Sequence, residues 1–496
     1  MVFFYCGKNM TESKNVLLIR PENIYRQNNY PSLGLLSVAT SLFHAGYTPV
    51  IINAALERDW KLKIRRLFNC ANFDCIGITI MTSECPSAYE ILNYIQGLAP
   101  STPIIAGGWH VRLFPEQMLE SHLISHACIN DGEMEIDSGA KKTFNICNLN
   151  DLAVVRYDLD PNIETFITSY LTDRLDPNRP RPKRWLPYES SRGCPSECTF
   201  CANVVTNNRT YRKKHAAKVV AELSHIVKKY KLDHIKIIDD NFFVNINRVR
   251  SICRMICEYG LEFTWDAECR ADYFRHDFLD DDTLRLCKKA GLIQLTLGLE
   301  SGSQHTLDIM KKNITPYDSI HAVKVCNHHE ITSRCSFMLD VPGETSEDIE
   351  KTRQFIRRLR QFPYFTCGVQ TFRPYPRCEL TQSLIASGQW SEPGNFSDWS
   401  DEYYVRQFTA AQHDQPWQVQ PKRSRYISSY EYIESGTQFD THMVKGKFKK
   451  MLFGMFKGLA KFRNDHNWYR CPIDLFLYQK FQEWFLKRQE KQCRKS

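Results

Sequence analysis

The chain has 496 residues, of which 43% are hydrophobic and 24% are charged, and its formal net charge is +9 at pH 7. This composition is ordinary for a globular protein, and the length predicts two domains plus an extension. No apolar run approaches the roughly 20 residues that span a bilayer, and residues 1–15 lack the segments of a secretory signal. The 19 cysteines are mostly scattered, as in a reducing compartment. The sequence therefore excludes an integral membrane protein and predicts a cytoplasmic location.

The first part of the chain alternates short apolar strands with helices. Strands are predicted at residues 16–19, 48–52, 75–80 and 103–106, with helices at 33–45, 59–68 and 88–98 between them. Such alternation indicates a parallel sheet covered on both faces, and ligands of such sheets bind beyond the carboxyl ends of the strands. Two of these ends carry Thr82-Ser83 and Gly107-Gly108-Trp109-His110. The adjacent glycines suit the close approach of a ligand, although a tight turn explains them equally well.

A second run of strand and helix pairs begins at Trp185. Its six strands are predicted at residues 186–190, 234–238, 263–267, 293–299, 334–339 and 368–372. Repeated right-handed units of this length curl into a partial barrel, whose functional residues lie at the carboxyl ends of the strands. The predicted fold class is α/β, with an N-terminal Rossmann-like parallel sheet, a partial (β/α)6 barrel and a mainly helical C-terminal extension. The predicted boundaries are 14–150 for the first domain, 151–184 for a linker with a stiff proline-rich stretch at 176–182, 185–390 for the barrel and 391–496 for the extension.

Three closely spaced cysteines form the most specific motif. Cys194, Cys198 and Cys201 have the spacing Cys-x3-Cys-x2-Cys. Thiolates hold iron–sulfur clusters, and three of them bind three irons of a 4Fe–4S cluster and leave the fourth iron open to a ligand that is not protein. The alternative, a zinc site, requires a fourth Cys or His nearby, whereas the nearest histidine is His215, fourteen residues further on. The motif therefore predicts an enzyme with a cluster and no further cluster elsewhere.

The segment from Gly193 to Cys201 resembles the signature loop of the radical S-adenosylmethionine (SAM) superfamily. In that family SAM binds the open iron, and an electron from the cluster cleaves SAM to a 5′-deoxyadenosyl radical. The resemblance implies that the three cysteines bind the cluster and that Phe200 lies near the adenine. Glu300 is assigned to the ribose, because two carboxylate oxygens can accept hydrogen bonds from vicinal hydroxyls. The other barrel residues that the resemblance places against SAM are Asp239, Asp240, Arg270, Ser301 and Pro342.

Residues 14–135 resemble the cobalamin-binding domain that precedes many radical SAM modules. The resemblance is carried by Pro31 to Leu35, by Gly77-Ile78-Thr79 and by Gly107 to His110. It implies contacts with cobalamin from the residues Leu33, Gly34, Thr82, Ser83, Gly107, Gly108, Trp109 and His110.

This domain departs from the family pattern in two loops. The loop at residues 20–30 contains no histidine, so no protein imidazole is expected below the cobalt. Residues 131–135 read Asp-Gly-Glu-Met-Glu where the family has Gly-Glu-Gly-Glu, which argues against a cobalamin contact by this loop. A related domain that no longer binds the cofactor is therefore the alternative.

Three functions are compatible with a cobalamin-dependent radical SAM architecture. The first is methyl transfer to an unactivated carbon of a small molecule. The second is oxidative cyclisation or ring rearrangement, as in the branch that includes the anaerobic magnesium-protoporphyrin monomethyl ester cyclase. The third is a non-catalytic cobalamin or redox sensor, which the intact cysteines disfavour. The resemblance thus predicts an enzyme, first of all a C-methyltransferase, that receives its electron from a flavodoxin- or ferredoxin-type donor.

Basic residues are concentrated in the C-terminal region. Residues 445–496 contain fourteen lysines and arginines against four acidic residues. Amphipathic helices are predicted at 448–462 and 475–487, and we expect them to cover the open end of the barrel; peripheral contact with an anionic membrane is the alternative. Nothing resembles an RNA-binding module, so a nucleic-acid partner is not expected. Arg377 follows the last barrel strand. It would bind the carboxylate or phosphate of an anionic substrate, and the alternative is that it is a surface residue.

Overall fold

The computed structural model describes residues 14–25, 31–133, 148–169, 182–408, 414–435 and 447–481. Most of the predicted proline-rich stretch at 176–182 lies outside these residues, as does the end of the second predicted C-terminal helix, 482–487. None of the described helices is both long and apolar enough to cross a membrane.

The N-terminal domain is built on a five-stranded parallel sheet. Its strands are β1 (Lys14–Arg20), β2 (Tyr47–Asn53), β3 (Cys75–Thr79), β4 (Ile104–Gly107) and β5 (His126–Ala127). Its helices are α1 (Leu33–His44), α2 (Trp60–Cys70), α3 (Cys85–Leu98), α4 (Trp109–Leu113) and α5 (Pro115–Glu120). The strand order is β2-β1-β3-β4-β5. Val16 and Leu18 pack into one buried cluster and Leu17 and Ile19 into another, which confirms a sheet covered on both faces. Strand β5 was not predicted, because two residues give no periodic signal.

The connector between the two sheets is packed against both of them. It contains the short helix α6 (Ile163–Ile167). The backbone N–H of Arg156 donates to Thr40 Oγ1 in α1 at 2.9 Å. The buried Tyr157 hydroxyl donates to the carbonyl of Pro187, in the first barrel strand, at 2.6 Å. The described part of the connector therefore fixes the first domain to the start of the barrel.

The second domain is a partial barrel of six parallel strands. In chain order the strands are β6 (Trp185–Tyr188), the short antiparallel pair β7 (Ser191–Arg192) and β8 (Arg212–Lys213), and then β9 (His234–Ile237), β10 (Thr264–Cys269), β11 (Leu292–Glu300), β12 (Thr332–Leu339) and β13 (Phe365–Thr371). The helices are α7 (Ala202–Thr206), α8 (Ala216–Tyr230), α9 (Ile246–Glu258), α10 (Asp281–Lys289), α11 (Gln304–Ile309), α12 (Pro316–His328), α13 (Ser346–Leu359) and α14 (Glu379–Ala386). The order β13-β12-β11-β10-β9-β6 leaves β6 and β13 at its two ends, so the predicted partial barrel is confirmed.

The C-terminal region covers one edge of the barrel and contacts the first domain. Its helices are α15 (Phe396–Trp399), α16 (Glu402–Phe408), α17 (Pro421–Ser435) and α18 (Lys447–His466), followed by a helical segment at 473–481. Helix α17 packs along β13, where Ser428 Oγ donates to the carbonyl of Val369 at 2.6 Å. The rings of Trp399 and His110 lie 5.2 Å apart, and Trp399 Nε1 donates to Gln117 Oε1 at 3.0 Å. These helices therefore close the edge at β13 and tie the barrel to the N-terminal sheet.

Candidate active site between the two sheets

A cavity of about 570 Å³ lies where the carboxyl ends of the two sheets face each other. The predicted site residues that line it are Thr82, Ser83, Trp109, Cys194, Cys198, Phe200, Cys201, Asp240, Arg270 and Glu300. The predicted residues that do not line it are Leu33, Gly34, Gly107, Gly108, His110, Asp239, Ser301 and Pro342. Asn241 lines the cavity too, and lining residues to which the sequence assigned no role include Tyr25, Lys312, Arg373 and Tyr375. Their signal was their position at strand ends, beside the motifs that were recognised.

The three cysteines sit on a loop whose shape depends on Gly193. This residue has a φ of +86°, and a Cβ added to it would lie 2.1 Å from the carbonyl oxygen of Thr210, so only glycine fits. Its N–H donates to Asp240 Oδ2 at 2.8 Å. Asp239 accepts hydrogen bonds from Ser190-Ser191, through one backbone N–H and both hydroxyls. Asp240 therefore holds the loop from the cavity side, whereas Asp239 anchors the chain that leads into the loop.

Side chains from two neighbouring strand ends donate to the thiols. Asn241 Nδ2 lies 3.6 Å from Cys194 Sγ, and Arg270 Nη1 lies 3.7 Å from Cys198 Sγ. Burial raises the pKa of the Cys201 thiol to about 11, so metal binding there must release a proton. Three thiols on one loop, with donors that stabilise thiolates, fit a three-cysteine cluster site.

A buried ion pair lies beside the cysteine loop. Lys312 Nζ is 3.1 Å from Glu300 Oε1, with 9% and 8% of the two side chains exposed, and 5.8 Å from the centre of the Phe200 ring. Gly298 makes room for the pair, since a Cβ added there would lie 2.4 Å from Glu300 Oε1. Asn241 Oδ1 is buried and has no hydrogen-bond partner among the residues that the structure describes. The pair and this free acceptor fit a zwitterionic ligand with hydroxyl groups, which is the chemistry of SAM.

Two predicted SAM residues, Ser301 and Pro342, lie in turns that shape the strand ends. Ser301 Oγ lies 2.8 Å from Thr352 Oγ1 and accepts from the N–H of Ser303 at 3.0 Å. The turn that contains Pro342 also holds the buried Glu344, whose pKa burial raises to about 8. Glu344 is therefore largely protonated at neutral pH. Both turns support the cavity wall from outside.

Gly108 and His110 are used by the fold of the first domain itself. Gly108 has a φ of +98°, and an added Cβ would lie 2.6 Å from the carbonyl oxygen of Ile80, so the chain requires glycine whether or not a ligand approaches. His110 is fully buried, its Nδ1 lies 3.3 Å from Thr82 Oγ1, and burial lowers its pKa to about 3. It is therefore a neutral imidazole that orients Thr82. The predicted residues Leu33, Gly34 and Gly107 also lie outside the cavity.

The N-terminal wall of the cavity is apolar and aromatic. Tyr25, Met81 and Trp109 are large side chains that remain exposed there, and Thr82 and Ser83 add hydroxyl groups. Exposed apolar side chains around a crevice at the carboxyl ends of a parallel sheet fit the faces of a flat macrocycle. The residues present therefore fit cobalamin at the position that the sequence resemblance implied.

The loop that departs from the family pattern, at residues 131–133, contacts the cysteine loop of the barrel. Arg192 Nη2 donates to Glu133 Oε1 at 2.8 Å, and its Nε donates to Glu189 Oε2 at 2.7 Å. Ser37 Oγ in α1 also donates to Glu133 Oε1. Asp131 pairs with Arg212 across the same boundary. Residues 131–133 therefore form an interdomain clasp with the barrel. Its partner Arg192 lies two residues before Cys194, the first cluster cysteine.

Glu133→Gln is expected to loosen this clasp. The substitution removes the nearer of the two N-terminal carboxylates that hold Arg192, while Asp131, at 3.6 Å, and Glu189 keep Arg192 partly neutralised. We therefore expect a loss of about 1–3 kcal/mol in the free energy of unfolding, measured by chemical denaturation. The control is Asp282→Asn, at a 91% exposed side chain whose contact with Arg285 should contribute little. Equal stability of Glu133→Gln and the wild-type protein would contradict the clasp.

Comparisons with known proteins agree with this geometry. The Radical SAM superfamily model matches residues 188–356, and the B12 binding domain model matches residues 23–137. An uncharacterized methyltransferase of Pyrococcus horikoshii is 27% identical over 72% of this chain and 79% of that one. The anaerobic magnesium-protoporphyrin IX monomethyl ester cyclase of Rubrivivax gelatinosus is 25% identical over 72% of this chain and 66% of that one. The structure of the cobalamin-dependent SAM radical enzyme OxsB with aqua-cobalamin bound matches the fold with a TM-score of 0.67, at 16% identity, over 95% of this chain and 76% of that one.

The barrel, its three-cysteine loop and the preceding parallel sheet define a radical SAM enzyme with a cobalamin-binding domain. Residues 188–356 match the radical SAM superfamily and residues 23–137 match the B12 binding domain, so both resemblances read from the sequence are confirmed. A 4Fe–4S cluster, SAM and cobalamin are accordingly its cofactors. Members of this family act on small-molecule substrates and need a reductant.

Proposed function

We propose that this enzyme transfers a methyl group to an unactivated carbon of a small-molecule substrate. The bound cofactors supply the chemistry: the cluster with SAM provides a hydrogen-abstracting radical, and cobalamin provides the methyl group. The cavity carries the proposal, because it joins the cysteine loop of the barrel to the strand ends of the cobalamin-binding domain in one space. Methyltransferases among its relatives, from Pyrococcus horikoshii and Streptomyces wedmorensis, add support.

We assign the residues of the cavity to the three cofactors as follows. Cys194, Cys198 and Cys201 would hold the cluster. Phe200, Asp240, Asn241, Arg270, Glu300 and Lys312 would surround SAM, and Thr82, Ser83 and Trp109 would contact cobalamin. Asp239, Ser301, Gly108 and His110 act through these residues, because their contacts lie within the turns that support the cavity.

Oxidative cyclisation is the second candidate function. It is favoured by the cyclase relatives, of which that of Rubrivivax gelatinosus is 25% identical. Both reactions begin with hydrogen abstraction from the substrate and differ in whether a methyl group is added. The same cavity suits methyl transfer and oxidative cyclisation, so identifying the product is needed to distinguish the two reactions.

Label transfer from SAM tests the proposal. The reconstituted enzyme is given reductant, SAM with a deuterated methyl group, and an extract of cells that naturally contain the protein. We expect 5′-deoxyadenosine together with a small molecule that has gained the labelled methyl group. Formation of 5′-deoxyadenosine without label transfer would favour cyclisation, and the absence of SAM cleavage would favour a sensor.

The same assay tests the electron donor, which we propose is a flavodoxin- or ferredoxin-type protein. Turnover with a chemical reductant but with neither of these proteins would contradict this.

We further propose that the enzyme works in the cytoplasm. We also propose that its C-terminal helices contact the surface of an anionic membrane. An exposed apolar stripe runs along α18 at the spacing of one helix face: Met451, Met455, Leu459 and Phe462. The helical segment at 473–481 adds the exposed side chains Ile473, Phe476 and Leu477. Charge complementarity supports this partner, because residues 445–496 carry fourteen basic and four acidic side chains.

Vesicle sedimentation tests the membrane contact. We expect the protein to bind vesicles that contain phosphatidylglycerol, and the double variant Met455→Asp with Phe476→Asp to lose most of this binding. The control is Tyr317→Asp on α12, where the native side chain is 76% exposed. Equal binding by both variants, or none by the wild-type protein, would rule the contact out. Recovery of the protein from a secreted fraction would contradict the cytoplasmic location.

A further inference from the structure

Three cationic side chains line the cavity, and two of them are already paired with carboxylates. Arg270 Nε lies 2.9 Å from Asp272 Oδ1, and Lys312 Nζ lies 3.1 Å from Glu300 Oε1. Arg373, just beyond the carboxyl end of β13, contacts no carboxylate among the residues that the structure describes. Among these three cations, Arg373 is therefore the one without a carboxylate partner in the described part of the protein.

The contacts of Arg373 come from the other domain. Its Nη1 donates to the hydroxyl of Tyr25 at 3.3 Å, and its guanidinium carbon lies 5.5 Å from the centre of the Tyr25 ring. Its Nε is buried and has no hydrogen-bond partner in the described structure. Because a guanidinium offers five N–H donors in a planar fork, most of them remain available to a ligand.

We propose that Arg373 and Tyr25 bind the carboxylate or phosphate group of the substrate, which is then an oxyanion with an apolar body. The arginine fork matches both groups bidentately, and an unneutralised charge in a largely apolar cavity is unfavourable. The apolar body follows from Tyr375, which is exposed and lines the same cavity. The inference rests on the proposed function, since it names the substrate class of the same site.

Arg377, the residue that the sequence offered for this role, lies outside the cavity. Its Nε is 3.7 Å from Glu392 Oε2, and its guanidinium carbon is 4.9 Å from the centre of the Phe114 ring. It therefore belongs to a surface contact. Its position four residues from Arg373 makes it a matched control.

The experiment uses the full-length holoenzyme with cluster and cobalamin bound. The probe is phenyl phosphate, with benzyl alcohol as its neutral counterpart, and dissociation constants come from isothermal titration calorimetry. We expect Arg373→Gln to weaken binding of phenyl phosphate about tenfold or more. Arg373→Lys should weaken it less, because a charge remains without the fork, and Arg377→Gln should leave it unchanged. Benzyl alcohol should not distinguish the proteins, and equal binding of phenyl phosphate by all of them would overturn the site.

A second source of an oxyanion in this cavity is the phosphodiester of cobalamin. The affinities of Arg373→Gln for cobalamin and for cobinamide, which lacks the phosphodiester, separate the two sources. Unchanged affinity for both supports the substrate as the ligand of Arg373. Weaker binding of cobalamin alone would assign the oxyanion to the cofactor and overturn the substrate class. Neither result bears on methyl transfer, which is decided by label transfer from SAM in the wild-type enzyme.

Discussion

Cys198→Ala is expected to abolish cleavage of SAM while leaving the fold intact. The thiol lies on the loop shaped by Gly193, and Arg270 Nη1 approaches it at 3.7 Å. Loss of one thiolate leaves one iron of a three-cysteine site without its protein ligand. We therefore expect 5′-deoxyadenosine to fall below detection and iron to fall below the four per chain of a complete cluster. Both are measured after anaerobic reconstitution, by chromatography and by iron analysis.

Cys70→Ala is the matched control for this prediction. Cys70 ends helix α2, is exposed and does not line the cavity. The control should retain iron and SAM cleavage at the wild-type level. Cys194→Ala and Cys201→Ala should behave like Cys198→Ala. If any one of the three cleaved SAM normally, the assignment of the loop as the cluster site would be wrong.

Glu300→Ala is expected to destabilise the protein as well as to weaken SAM binding. Burial lowers the pKa of Lys312, but Glu300 and, after it, the Cys198 thiol together more than offset this, so the pKa lies above its ordinary value. Lys312 is thus charged at neutral pH, and removing Glu300 leaves that charge buried without its carboxylate. Breaking a buried pair in this way costs about 3–5 kcal/mol in the free energy of unfolding. The sequence alone predicted only the loss of ribose contacts, because it did not show that Lys312 is the partner.

A double variant separates the structural role of this pair from its role toward SAM. Glu300→Gln with Lys312→Gln removes both charges, so we expect most of the lost stability to return in chemical denaturation. SAM affinity should stay reduced roughly 10- to 100-fold, because the charge-assisted contacts are gone. Glu379→Ala is the control, since its pair with Lys311 is half exposed and should contribute at most about 1 kcal/mol. Normal SAM affinity in the double variant would reduce Glu300 to a structural residue.

The raised pKa of Lys312 also gives this pair a pH dependence of defined sign. A group whose pKa is higher in the folded than in the unfolded state binds its proton more tightly when folded. The contribution of Lys312 to stability is therefore complete below the ordinary lysine pKa of about 10.4 and is lost as the pH rises through the higher folded value. Denaturation curves at neutral and strongly alkaline pH should show a smaller difference between the wild-type protein and the double variant at alkaline pH.

The sequence located the strand ends correctly but not the direction of each side chain. Thr82, Ser83 and Trp109 follow their strands into the cavity, whereas His110, the next residue after Trp109, turns into the core beside Trp399. Neighbouring residues at the start of a helix point in different directions, and only the packing of the whole domain determines which of them faces the ligand. Gly108 shows the same limit, because its conformation is required by the backbone of Ile80.

The cluster loop, the two parallel sheets and the order of the domains were determined by the sequence alone. Their signals are local: the spacing of Cys194, Cys198 and Cys201, and the alternation of apolar strands with helices. The partners across domains were decided only by the tertiary structure: Glu133 with Arg192, and Tyr25 with Arg373. These residues are separated by tens to hundreds of positions in the chain, and a charge at a strand end carries no local signal of its partner. Which charges are neutralised, and which remain for a ligand, therefore depends on how the two domains pack.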